Sequence, residues 1–111
     1  MIRRSPISEA AQPRQHVDFP RVRAAALARL PELLTRWLPD GELRGKEYTA
    51  RNPMRDDRYA GSFRINVDTG RWADFAADGI RGGDPIALAA YLAGCSQVEA
   101  ARRLAEALGV R

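Results

Sequence analysis

Apolar and polar side chains alternate most sharply between Ser62 and Ala76. Phe63, Ile65 and Val67 alternate with Ser62, Arg64 and Asn66, the period-two pattern of a strand with one buried face. Asp68-Thr69-Gly70 follows, then Arg71-Trp72-Ala73-Asp74-Phe75-Ala76. The spacing predicts a hairpin, with Gly70 left-handed just before the return strand and Asp68 bonding the local backbone. The unburied face then carries Arg64 and Asn66 outward, and that face is the first place to look for function.

A helical period precedes this hairpin. Leu27, Leu30, Leu34 and Trp37, with Val22 and Leu33 beside them, make one apolar stripe between Asp18 and Leu38. Pro20 suits a first turn. Pro31 removes the hydrogen bond to residue 27 and clashes there, which predicts a kink or break at 29–31, with Pro31 opening the second piece. Pro39-Asp40-Gly41 ends the helix. Residues 43–51 read as one strand with Tyr48 and Ala50 inward, 52–58 as a polar loop, and 77–83 as a second loop.

Two helices close the chain. Asp84 before Pro85 is an N-cap, Ile86, Leu88, Ala89 and Leu92 supply the stripe, and Gly94 stops it. Ser96-Gln97-Val98-Glu99 has the form of a capping box, in which serine and glutamate each satisfy an end donor. The helix it opens buries Val98, Ala101, Leu104, Ala105 and Leu108 and ends at Gly109. The pattern therefore predicts a single α+β domain over residues 18–111 behind a flexible arm at 1–17, which has two prolines and no apolar period. Its parts are an N-terminal helix kinked near Pro31, a small antiparallel sheet of three to four strands, and two C-terminal helices.

Composition narrows the chemistry. One histidine, His16, and one cysteine, Cys95, cannot supply the four ligands of a structural zinc site. His16 also has no partners for a catalytic triad. Asp56, Asp57, Asp74 and Asp78 are of the type that gathers around magnesium, but aspartate is equally an ordinary turn residue. Gly82-Gly83-Asp84 opens a helix as a phosphate cradle would. No Lys-Ser or Lys-Thr pair follows, however, and Asp84 would occupy the end donors itself, so turn plus cap is the reading. A single cysteine excludes an internal disulfide and fits a reducing cytoplasm, and no apolar run is long enough to span a membrane.

The net charge is +4, and 17 of the 18 basic residues are arginine. Arginine suits forked phosphate contacts and base stacking, although residues 40–84 carry eight basic against nine acidic side chains, so any cationic patch there has to be made by folding. The candidate nucleic-acid-binding set is Arg51, Asn52, Arg55, Arg58 and Tyr59 in the first loop, Arg64 and Asn66 on the strand, and Arg81 near the hairpin's end, with Arg71 beside it. Arginines for phosphates and an aromatic such as Tyr48, Tyr59 or Trp72 for stacking are what a single-strand binder uses. Trp72 reads as core before platform.

The order of features over residues 42–109 resembles the N-terminal zinc-binding domain of bacterial and phage DNA primases. In that family a strand leads to a Cys-Pro-x-His knuckle, then Pro-Ser-Phe and a strand. A Cys-x-x-Cys knuckle follows the next strand, then a Gly-Asp-x-Ile helix and a Glu-Ala-x-x-x-Leu-Ala helix. The matching stretches are Tyr48–Arg55, Gly61–Asn66, Arg71–Ala76, Gly82–Ile86 and Glu99–Ala105. Every metal-ligand position is replaced: Arg51 and Arg55 flank the first knuckle's place, and Ala76 to Ile80 fill the second.

The resemblance implies a zinc-ribbon-like sheet without metal, in which packing does what zinc contributes to folding, with Phe75, Trp72 and the long N-terminal helix as the substitute core. Such versions look like those at the front of primase-helicase or topoisomerase-primase-type replication proteins of plasmids, prophages and integrative elements. The family's domain contacts template single strand and leaves polymerisation to another domain. The expectation is thus a non-catalytic, cofactor-free, cytoplasmic module for single-stranded DNA, beside a primase or helicase domain. Its Arg51, Arg55, Arg58, Arg64 and Arg81 would meet phosphates, Asn52 and Asn66 bases or sugar, and Tyr59 would stack. The alternative is a stand-alone protein-interaction adaptor or inhibitor encoded by a mobile genetic element. A scaffold that only positions a downstream enzyme is the third.

Overall fold

The computed structural model describes residues 16–55 and 61–111, and the first helical stretch is split where its second proline requires. Helix α1 spans Phe19–Ala28 and α2 spans Leu30–Trp37, with Arg29 between them at φ −123°, ψ 23°. Asp18 caps α1 by accepting from the Arg21 N–H at 3.2 Å. Pro31 lies in the first turn of α2, where the missing donor has no bond to lose.

Five strands follow: β1 (Glu42–Arg44), β2 (Glu47–Ala50), β3 (Phe63–Asn66), β4 (Trp72–Asp74) and β5 (Arg81–Gly82). They form one open sheet in chain order, each strand antiparallel to the next. The β3–β4 hairpin is as expected, with Gly70 at φ +81°. Its turn is bonded by a different residue, however: the Asn66 side-chain oxygen, not Asp68, accepts from the Asp68 and Thr69 N–H groups at 2.9 and 3.0 Å.

Five strands exceed the expected three to four, for two reasons. The single strand read over 43–51 is a hairpin, because Gly45 at φ +60° turns the chain and pairs Arg44 with Glu47. The loop read over 77–83 contains β5, whose Gly82 lies opposite Trp72. A Cβ on Gly82 would stand 2.5 Å from the indole ring, so only glycine lets β5 lie this close.

Helices α3 (Pro85–Ala93) and α4 (Gln97–Leu108) complete the described chain. The Asp84 carboxylate accepts from the Ala87 N–H at 2.8 Å, and Gly94 and Gly109 end the helices in left-handed conformation. Ser96 caps α4 through the Glu99 N–H at 3.1 Å. The return half of the expected capping box is replaced: Glu99 accepts instead from Arg102 and Arg103, at 2.7 and 3.0 Å. Val98, expected inside, is 43% exposed.

The core has two lobes. One packs the inner sheet face (Tyr48, Ala50, Phe63, Ile65, Trp72) against Leu30, Leu34, Leu38 and Leu88. In it Phe63, Trp72 and Tyr91 meet ring to ring at 5.3–6.2 Å between centroids. The other joins α1, α3 and α4 through Val22, Ala26, Ile86, Ala90, Ala101 and Leu104. Trp37 touches both. The fold is α+β, with the helices on one side of the sheet and the other side left open.

Candidate nucleic-acid interface

Strand alternation decides what the open side displays. Tyr48, Ala50, Phe63, Ile65, Trp72 and Asp74 point inward. The outer row across the sheet is therefore Glu42, Thr49, Arg64, Ala73 and Arg81, in register. Asn66, Arg71, Phe75 and Thr69 extend it, and with Arg64, Ala73 and Arg81 they line an open hollow of about 380 Å³ in which Glu47 is the one acidic side chain. Arg64, Arg71 and Arg81 are exposed and, among the described residues, form no ion pair, whereas Arg44, Arg102 and Arg103 each do.

Phe75 stands among these cations. It is 71% exposed, and the Arg64 guanidinium carbon lies 5.3 Å from its ring centre, within cation–π range. Arg64 is held there by its own Nε, which donates to the Gly61 carbonyl at 2.7 Å. Phe75 was expected in the substitute core. The alternation that buries Trp72 and Asp74 puts it outside, next in parity to Ala73, and this signal was present in the sequence.

A second polar group lies under the opposite face of β4. The Asp74 side chain is fully buried and accepts from Arg55 Nε at 2.6 Å, Arg55 Nη2 at 3.3 Å, Asn52 Nδ2 at 2.9 Å and the Ala76 N–H at 2.9 Å. The Asn52 amide also donates to the Tyr91 hydroxyl at 2.8 Å, and its oxygen accepts from the Met54 N–H at 2.9 Å. Burial pushes the Asp74 carboxyl up. The bonds from Arg55, Asn52 and Ala76 and the Arg55 charge outweigh it and hold the group at about 2, below the ordinary 3.8. This knot ties the loop after β2 to the end of β4, and through the Ala76 bond it sets the backbone on which Phe75 stands.

The expected site residues therefore separate. Arg64, Asn66 and Arg81 are brought together on the outer face, joined by Arg71 and by Phe75. Asn66 spends its side-chain oxygen on the turn. Asn52, expected at bases, is 1% exposed and belongs to the buried knot. Arg55, expected at phosphates, is bound to Asp74. Arg51 is exposed but lines a different hollow, of about 200 Å³, with Trp37, Leu38, Pro39 and Asp40. Tyr48 and Trp72 are core. Arg58 and Tyr59 lie outside the described residues, as do residues 1–15 of the expected arm.

Among the described residues no cluster of His, Cys, Asp and Glu is able to hold a metal ion, and no helix is long and apolar enough to cross a membrane. No family model, no curated protein and no solved structure matches the chain.

Proposed function

We propose that this chain is a non-catalytic module for single-stranded DNA, of the primase template-recognition type, and that the outer sheet face is its binding surface. One observation carries the reading: three arginines that form no ion pair among the described residues, Arg64, Arg71 and Arg81, line one hollow with an exposed aromatic ring on the open side of the sheet. Cations that track a backbone and a ring that accepts a base are the two parts such binding needs. The Asn52–Arg55–Asp74 knot supports the likeness to the primase domain, since it ties the loop after β2, where the family's first knuckle would lie, to the end of β4, just before the place of the second. In this reading the module works in the cytoplasm beside a primase or helicase domain.

Fluorescence anisotropy with a labelled 15-nucleotide single strand and its duplex, titrated across a salt series, tests it. Single-strand preference with a log–log salt slope of about −0.7 per phosphate contacted is the expected result. No single-strand binding at low salt would remove the proposal. A second reading, a protein-interaction adaptor, draws on an open apolar hollow of about 420 Å³ between α2, α3 and α4, lined by Leu33, Trp37, Leu92 and Leu104 with Arg36 and Arg103. Arg36 forms no ion pair among the described residues. The occupant that this chemistry fits is an amphipathic helix with acidic flanks.

A further inference from the structure

Building on the single-strand reading, we infer that Phe75 and Arg64 form a preassembled stacking platform for one unpaired base, and that Arg71 and Arg81 hold the phosphates beside it. The site then reads an unpaired nucleotide step, not only a run of negative charge.

Four observations converge on this. Phe75 is among the most exposed large apolar side chains of the described chain, at 71%, and it lies in a cationic hollow and not in an apolar patch. A phenylalanine this exposed contributes little to folding, since most of its ring stays in water. The backbone beneath it is fixed from both sides: the Phe75 N–H donates to the Ser62 carbonyl at 2.8 Å, and the next N–H, of Ala76, donates to buried Asp74 at 2.9 Å. Arg64 approaches the ring with its Nε already committed to Gly61, so the guanidinium is positioned before any ligand arrives and its two terminal nitrogens remain for a phosphate.

Register supplies the phosphate contacts. Arg64 lies opposite Ala73, and Ala73 opposite Arg81, so a residue with almost no side chain separates the two arginines across the sheet. Arg71 enters the same hollow from the strand's start. A base laid on the exposed Phe75 ring lies in the hollow that Arg64, Arg71 and Arg81 line. In a duplex the base faces are covered by their stacked neighbours, so this geometry admits single strands and ends and rejects paired interior steps.

The experiment compares a 15-nucleotide thymidine strand with an abasic strand of the same length and charge, using the full chain and its Phe75→Ala, Phe75→Trp and Arg71→Ala variants. Circular dichroism checks that each variant is folded. The full chain is expected to prefer the base-bearing strand at least about fivefold, the low end of one base–aromatic stack. Phe75→Ala should erase that preference while leaving the salt slope unchanged. Phe75→Trp should keep it, and Arg71→Ala should weaken both strands alike and make the slope shallower. Equal affinity for the two strands, or a preference that survives Phe75→Ala, overturns the platform and leaves the single-strand reading standing. Absence of binding to both strands overturns that reading, and the platform with it.

Discussion

Arg55 and Arg64 are nine residues apart and do opposite things. Arg55 lies half-buried against a carboxylate with no solvent exposure, and its guanidinium satisfies a charge the fold has already taken out of water. Arg64 lies on the open face with no acidic partner among the described residues and rests on an exposed ring. The difference comes from what strand β4 puts on each side: Asp74 inward, Ala73 and Phe75 outward. An arginine beneath the sheet becomes part of the stability of the fold, and an arginine above it stays available to a ligand.

The comparison is broken most forcefully by Arg55→Ala. That change leaves Asp74 buried without its counter-charge and should cost about 3 kcal/mol of unfolding free energy, read from urea denaturation. Arg64→Ala and Arg81→Ala should stay within about 0.5 kcal/mol in the same measurement. Comparable losses for all three would show that the two faces are not divided as described.

Gly82→Ala comes next. Its added Cβ meets the Trp72 ring, so the β4–β5 pairing should be destabilised by about 2 kcal/mol. Loss of amide-exchange protection at Asp74, whose N–H donates to Ile80, would locate the damage.

Acid sharpens the same contrast. The Asp74 carboxyl is held at about 2 in the fold, below its value in the unfolded chain. Its contribution is therefore fully present above pH ~4 and is lost as pH falls through about 2, amounting to about 2 kcal/mol. Asp74→Asn should flatten that part of the stability–pH curve, whereas Arg64→Ala should leave it unaltered. A smaller loss than these is expected for Gly45→Ala in the β1–β2 turn. Nothing crowds a Cβ there, but the φ of +60° should cost about 1 kcal/mol.

How much of this was readable beforehand follows from the range of each interaction. The break near Pro31, the caps at Asp84 and Ser96, the stops at Gly94 and Gly109, and the turn of the β3–β4 hairpin all depend on groups within four residues of one another, and their chemistry is written in the local sequence. The split of residues 43–51 was also local, and Gly45 marked it. The site was only half legible. Arg64 could be placed by alternation, and so could Phe75, but the expected replacement for a metal drew that ring into the core, and Arg81 stood in a stretch read as a loop.

The amino-acid order alone determined the helices, their ends, the central hairpin and the side of it that faces water, because backbone geometry and side-chain period are short-range properties. Tertiary structure decided which arginines are free. Asn52 and Arg55 look in sequence like any polar loop residues, and only the approach of Asp74, 22 and 19 positions away, turns them into a buried knot. A charge is spent or available according to what lies within a few ångströms of it, and that is settled when distant strands pair.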